Sequence, residues 1–503
     1  MRMVFEVQLL LLGRWVKHVC VAIVATLFLL MGNKLMARPV TEAETRHVAA
    51  QWLAVNSHLL KVEGEPVVTE VKSKDDLIVM RTLRYPSGGA LFIAADTRLL
   101  PVLAALPRGR ISATHPLSRH LKADVEARLK EAPATDYAMW TTLLHAAPLK
   151  SIPAPLMVFD SGRWVGELDH WNQESFNRYG KWEEGTVYNR YTPEHYMAGC
   201  VAIAGCAIQQ FYAFPSQQVA YTNSFCAVYD ETLRPHFRPL QTRPGAYDWK
   251  SLPKRWTKGQ TLTEAQKELL GRIAANSGVI TGTHYASTAS GGGTYFLMEG
   301  LRRGAGYATG MEYCPTATTQ MLPFLTGLLY AQLRCGAPCV LDLGGAAGNH
   351  AVVAVGVAQD SQQTYYTRLF FGWGGSGDVW YALPTDGSFH SILGVGSLIS
   401  PNGTFVPIYG TILSADGAPT AHQRLTINGQ TVTSDAGGRF AIRIAPCDTV
   451  RITAEGVEKQ LTLDATLLRR AAVESWAEEN PNAVTTEALL QALPPPITLR
   501  LAP

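Results

Sequence analysis

A cysteine opens an apolar run in the stretch Met197-Ala198-Gly199-Cys200-Val201-Ala202-Ile203-Ala204-Gly205-Cys206-Ala207-Ile208-Gln209-Gln210. The composition of that run predicts a helix with Cys200 at its N-terminus. Unpaired backbone N–H groups and the positive end of the helix dipole favour the thiolate there, and the thiolate is the nucleophilic form of the side chain. Much further along, Gly348-Asn349-His350-Ala351-Val352-Val353 places a histidine at the start of a β-branched strand. An imidazole folded back onto the sulfur would give a thiolate–imidazolium pair, the activated nucleophile of acyl-transfer chemistry. Taken singly, a cysteine in an Ala/Val/Ile helix is usually a buried apolar side chain. A histidine opening a strand is more often structural than chemical. Cys206 points to a different helix face from Cys200 and keeps the structural reading.

Other chemistries have no counterpart in the sequence. It contains no His-Glu-x-x-His zinc motif, no Gly-x-Ser-x-Gly elbow and no phosphate-cradling loop. Gly291-Gly292-Gly293 lacks a following Lys-Ser/Thr and reads as a flexible turn. Eight cysteines are present, and setting aside Cys20 leaves an odd number, consistent with one free thiol in an exported protein. Cys335-Gly336-Ala337-Pro338-Cys339 could close a small disulfide or hold two unpaired thiols, and no second pair at ligand spacing makes it a zinc site. Neither metal nor cofactor is expected.

The elements that must position these groups follow from pattern. With 503 residues and 47% hydrophobic content the chain is too long for one ordinary core, so several domains are expected. Charged residues make up 17% and the net charge is +3, which argues against a nucleic-acid binder and against a disordered chain. Arg14, Lys17 and His18 precede an apolar stretch from Val19 to Leu30, and Leu35-Met36-Ala37 offers a small residue for cleavage. Residues 1–37 therefore read as a signal peptide, with a retained signal anchor as the alternative and the sole expected link to a membrane.

Residues 38–150 read as one α+β unit. Thr41 to Asn56 is amphipathic, with Thr41 and Glu44 forming a capping box. Strands are expected at Leu77–Met80, Gly89–Ala95 and Leu100–Leu103, and a helix at His120–Glu131. Residues 151–400 hold Cys200 and His350, with a helix over Thr319–Leu333 and buried strands at Val340–Leu343 and Ala351–Val357. Residues 405–503 change to short alternating strands, with Asn428-Gly429 as a two-residue hairpin turn, predicting an all-β sandwich. A charged helix from Asp464 to Asn480 and a last strand from Ile497 to Leu501 complete it.

Four motifs, in order, resemble the streptopain family of papain-like cysteine peptidases. They are Trp171-Asn172-Gln173, Gly199-Cys200-Val201-Ala202, Gly348-Asn349-His350-Ala351 and Gly372-Trp373-Gly374-Gly375. The Cys200-to-His350 interval suits the long separation found in papain-like enzymes. Likeness extends into the first unit through Ala37-Arg38-Pro39-Val40-Thr41 and the Phe92-to-Leu103 segment. The resemblance implies a secreted, cell-surface or periplasmic zymogen that hydrolyses protein or peptide substrates. Its α+β papain-like core would be preceded by an inhibitory pro-domain, residues 38–150, with Pro148–Pro153 as a cleavage zone. Cys200 would attack the peptide carbonyl, and His350 would move the proton. The Gln173 amide, with the Cys200 backbone N–H, would hold the oxyanion. Trp373 would shield the pair from water. The C-terminal sandwich resembles carboxypeptidase regulatory-like modules through Gly410-Thr411-Ile412 and Ser434–Phe440. Its role would be surface or substrate attachment, or that of a stability cap.

One departure matters. Where that family has Asn-Trp before Gly-Trp-Gly-Gly, this chain has Phe370-Phe371. The asparagine would orient the imidazole, and a phenylalanine side chain cannot. Asn349 or Asp342 are candidates to replace it. The departure motivates a second reading, a catalytically silent adhesion or binding protein that kept the peptidase fold. A third, an amidase- or transglutaminase-like acyl transferase, shares the same Cys/His chemistry.

Overall fold

The structure is a computed structural model. It describes residues 37–109, 111–112, 115–145, 158–160, 187–252, 261–307, 312–315, 329–344, 348–362, 364–374, 377–383, 392–397, 399–401, 405–463 and 497–502. The expected signal segment, the Gln173 motif, the Pro148–Pro153 zone, the helix at Asp464–Asn480 and most of that at Thr319–Leu333 lie outside the described residues. Among the described residues no helix is long and apolar enough to cross a membrane.

The first unit opens with α1, Glu42–Val55, started by the capping box that Thr41 and Glu44 predict. Its buried side chains Val48, Ala49 and Trp52 include the ones the spacing selects. Four antiparallel strands follow: β1 (Val67–Lys72), β2 (Ile78–Arg84), β3 (Ala90–Ala94) and β4 (Val102–Leu106). Every residue of β3 and β4 is buried, which explains why both read as unbroken apolar runs. Helix α2 spans Pro116–Glu131 and α3 spans Ala138–His145. α2 begins before the expected His120 because His115 caps it, Nδ1 accepting from the Leu117 N–H, with proline at the first turn.

The second unit is built on α4 (Cys200–Tyr212), α5 (Glu264–Ile280) and α6 (Thr294–Ala305). Its strands include β5 (Val158–Asp160), β6 (Ala227–Tyr229), β7 (Pro235–Phe237), β8 (His284–Tyr285), β9 (Glu312–Pro315), β10 (Cys339–Leu343), β11 (His350–Gln359), β12 (Tyr365–Phe370), β13 (Val379–Tyr381) and β14 (Ile392–Ser397). α4 is buried all round from Val201 to Phe211, the pattern of a central core helix. α5 packs closely on it at Gly205, where a Cβ would come within 2.4 Å of Ser277 Oγ. Ser277 Oγ also donates to the Ala202 carbonyl at 2.6 Å. Cys335 and Cys339 are both free thiols, so the short loop between them is not closed by a disulfide.

The two units share one sheet. Its strand order is β1-β2-β3-β4-β13-β12-β11-β10-β14-β9, with β5 added beside β11. The junction is a short antiparallel pairing of β4 with β13, Ala104 opposite Tyr381 and Ala105 opposite Trp380. One apolar core runs across it, from Trp52, Phe92 and Leu103 through Tyr366 and Val379 to Trp380. A polar cluster reinforces the junction. Asp124 on α2 accepts from the Tyr381 hydroxyl and from Arg128 Nε at 2.8 Å, while Arg128 Nη2 donates to the Ala382 carbonyl at 2.9 Å.

The C-terminal strands β15 (Val406–Leu413), β16 (Arg424–Ile427), β17 (Gln430–Thr433), β18 (Arg439–Ile444), β19 (Thr449–Ala454), β20 (Val457–Thr462) and β21 (Ile497–Arg500) form two sheets, β18-β15-β21 and β17-β16-β19-β20. One core lies between them, built on Val406, Ile408, Leu425, Phe440 and Ile452. This is the expected sandwich. Asn428 and Gly429 take φ values of 45° and 82°, the positive angles a primed two-residue turn demands. The sandwich is docked rather than tethered. Cys335 Sγ donates to the Ile442 carbonyl at 3.4 Å, and the Arg334 guanidinium lies 5.0 Å from the Tyr409 ring centre. The mixed α+β architecture agrees with the sequence expectation.

Arg128 is buried, so removing it takes the counter-charge from the buried Asp124 carboxylate. Arg128→Met is expected to destabilise the chain by roughly 3–5 kcal/mol. Equilibrium unfolding in urea would show this as a lower midpoint, and an unchanged midpoint would contradict the role given to the cluster.

Candidate active site

Cys200 is the first residue of α4 and His350 the first residue of β11, as the sequence predicts. The helix packs directly on the strand, with Val201 and Ala202 sharing a core with Ala351 and Val353. Gly199 makes the approach to the helix. Its φ is 85°, and a Cβ would come within 2.5 Å of the Ser290 carbonyl oxygen, so no other residue fits without moving that loop.

The sulfur is reached by the backbone N–H groups of Ala351, Val201 and Cys200 itself. The first of these belongs to the residue after His350, so the two elements meet at the thiol. Burial raises the thiol pKa, the N–H donors partly oppose the rise, and the Asp342 carboxylate adds to it. Burial therefore outweighs the helix N-terminus, and in this form Cys200 is held as the neutral thiol. The thiolate that the helix position alone would favour does not form here.

His350 is buried, and its Nε2 lies 3.0 Å from the Phe371 carbonyl oxygen. A carbonyl only accepts, so this contact assigns the proton to Nε2 and leaves Nδ1 as the basic nitrogen. The ring is thus oriented by a backbone oxygen, at the second of the two positions where phenylalanine replaces the expected Asn-Trp. No side-chain pattern could disclose it.

The imidazole sits in a stack of rings. Trp373 lies parallel to it at 4.9 Å and 6°, and Phe371 stacks at 5.6 Å and 15°. Trp373 is therefore at His350, as its motif implies. A further ring comes from the first unit: His120 of α2, centred 5.5 Å from His350. His115, at the start of the same helix, meets Trp373 edge-on at 5.4 Å. Burial is the main cause lowering the pKa of all three histidines. The His350 value falls to about 3, with His120 lowering it further and the Phe371 bond opposing. The thiol and the imidazole are thus both neutral. Sequence reading missed His115 and His120. His120 lies in an amphipathic helix with nothing local to mark it, and His115 precedes it as the cap, although His115-Pro116 could have been read as a cap followed by a first-turn proline.

Among the described residues no cluster of three or more His, Cys, Asp or Glu side chains could hold a metal ion.

A thiol at a helix start, an oriented imidazole on the adjoining strand and a tryptophan ring stacked on that imidazole stand together on an α+β fold. Residues 182–381 match the model of the Peptidase C10 family, and there the chain resembles the streptopain-type cysteine endopeptidases. The match includes Cys200, His350 and Trp373 and begins downstream of Gln173 and of the whole first unit. Among solved structures, a fragment of Prevotella intermedia prointerpain A carrying a cysteine-to-alanine substitution is 16% identical. It covers 66% of this chain and 98% of its own, with a TM-score of 0.46. Active wild-type interpain A from the same organism is 19% identical, covers 49% of this chain and 98% of its own, and has a TM-score of 0.34. No curated protein matches the chain.

The low His350 pKa has a consequence for stability. The unfolded imidazole takes up a proton below about pH 6.5, and the folded one refuses it until about pH 3. The unfolded state then binds more protons, so stability falls as pH drops through this window. His350 alone should cost about 2 kcal/mol between pH 7 and pH 5. Urea unfolding at both pH values should show a drop that is smaller by that amount in His350→Phe. Equal drops in parent and variant would contradict the assignment.

Proposed function

We propose that the chain is an exported zymogen in which Cys200 is the nucleophile of peptide-bond hydrolysis and His350 its general base and acid. The observation that carries this is that the N–H of Ala351, the residue after His350, reaches the Cys200 sulfur, while the Phe371 carbonyl orients the His350 ring. Attack by sulfur on the scissile carbonyl forms a C–S bond and pushes the carbonyl electrons onto oxygen. The thiol proton passes to His350 Nδ1 and then to the leaving amine, and water later releases the acyl group by the reverse path. The oxyanion would be held by the Cys200 N–H and the Gln173 amide, each such donor being worth about 2.7–4 kcal/mol of barrier. Gln173 enters on its motif alone. Trp373 would keep water from the imidazole.

The first unit acts as an inhibitory pro-region in this reading. His120 and His115 help bury the imidazole stack and so hold the pair un-ionised. Its release would hydrate the cleft and let the thiolate–imidazolium pair form. Export rests on the apolar N-terminal segment, Val19 to Leu30, and would place the enzyme outside the cytoplasm.

A catalytically silent protein with this fold is the competing reading, and active-site titration separates the two. After removal of the pro-region, an epoxide affinity label should react with Cys200 stoichiometrically. Casein digestion should fall by about three orders of magnitude or more in Cys200→Ala and His350→Ala. Variants that digest as fast as the parent would overturn the mechanism. An inert Cys200 would favour the silent protein, and amide products formed with added amines would favour an acyl transferase.

A further inference from the structure

An open pocket of about 620 Å³ lies between α5, β8 and the segments 191–193 and 240–244. None of the groups described at Cys200 and His350 lines it. Its rim is fixed by polar side chains that are themselves buried. Asn276, 1% exposed, spends its whole amide there: Oδ1 accepts from the Arg243 N–H at 2.6 Å, and Nδ2 donates to the Arg243 carbonyl at 2.9 Å and to the Tyr247 hydroxyl at 2.6 Å. The Thr242 hydroxyl accepts from the Tyr221 N–H and donates to the Val219 carbonyl, both at 2.8 Å.

Two groups are left for a ligand. Tyr285 is 0% exposed, and its hydroxyl has no hydrogen-bond partner among the described residues. It reaches α5 at Gly278, where a Cβ would collide with it. The Thr283 hydroxyl at the same place is paired with that of Thr281 at 3.0 Å. A buried O–H with nothing to donate to is costly, and such groups call for an explanation. The second group is the exposed Arg243 guanidinium, 4.5 Å from the Tyr191 ring centre. It is the one cation among the described residues lining the pocket, which include no carboxylate. Neighbouring Arg190, by contrast, is paired with Glu264 at 3.1 Å.

These two donors select the ligand. A guanidinium presents a planar fork that fits a carboxylate with two parallel bonds. No second cation lies deeper, and an anion carried down to Tyr285 would lose its hydration without a counter-charge, so the charge stays at the rim. The floor, formed by Ala275, Val279 and the Tyr285 hydroxyl, takes a neutral acceptor oxygen instead. The end of a peptide carries both, a carboxylate and amide carbonyls a few bonds behind it. We propose that this pocket binds the C-terminal end of a cleaved peptide, its carboxylate on Arg243 and an amide carbonyl accepting from the Tyr285 hydroxyl. The site is separate from the one at Cys200 and does not depend on the chemistry assigned there, since hydrolysis by any peptidase yields such an end.

The test is calorimetric titration of the full chain carrying Cys200→Ala, which prevents cleavage, with acetyl-trialanine, with its C-terminal amide and with succinate. The acid should bind saturably and about tenfold more tightly than the amide. Arg243→Gln should weaken binding of the acid about tenfold and change that of the amide less than about twofold. Tyr285→Phe should weaken both by about three- to tenfold. Its urea unfolding midpoint should not fall, because the hydroxyl it removes satisfies nothing in the fold. No saturable binding of the acid, equal binding of acid and amide, or binding unchanged in both variants would overturn the site, the last by placing the peptide elsewhere. Succinate bound as tightly as the acid and lost in Arg243→Gln would overturn the peptide assignment in favour of a free organic acid. A lowered midpoint in Tyr285→Phe would show that the fold uses the hydroxyl, and would overturn its role as a ligand donor.

Discussion

Everything at the site depends on the desolvation of one imidazole. His350 is enclosed by Trp373 and Phe371 from its own unit and by His120 from the first. An imidazolium in that surrounding would give up its hydration and gain only the Phe371 carbonyl in return, so the ring stays neutral. A neutral imidazole offers no cation to stabilise a thiolate, and Cys200, half-buried and with burial the largest cause raising its pKa, keeps its proton. Burial thus accounts for the neutral state of both groups.

That arrangement requires the two units to be fixed relative to one another. The shared sheet does this through the short β4–β13 pairing, and the Asp124–Arg128–Tyr381 cluster ties α2 to the strand beneath it. α2 then presents His120 to His350 at one end and its buried ion pair to β13 further along. A first unit joined in this way acts as a continuation of the second. Few residues pair at the seam itself, so its strength lies in the apolar core and the polar cluster.

The sequence disclosed the parts that depend on local pattern. The Thr41–Glu44 box, the start of α4 at Cys200, the start of β11 at His350 and the Asn428-Gly429 hairpin each follow from the chemistry of a few adjacent residues. What remained hidden depends on long-range packing. The merger of the two units into one sheet has no local signature, because β4 and β13 are simply buried strands. The orienting role of position 371 belongs to a carbonyl, which every residue has. The placement of His115 and His120 follows from the docking of α2 and not from its own periodicity. Even the charge state of Cys200 was open in the sequence, since a helix N-terminus lowers a thiol pKa and burial raises it, and only the packing decides which effect wins.

The most direct measurement is an NMR titration of the His350 ring, 13C-labelled at histidine and assigned by loss of its signal in His350→Phe. In the full chain the ring should remain neutral from pH 8 down to at least about pH 4, consistent with a value near 3. Once the pro-region is removed, its midpoint should move up by several pH units. A full-chain midpoint near the ordinary 6.5, unmoved by that removal, would contradict the account.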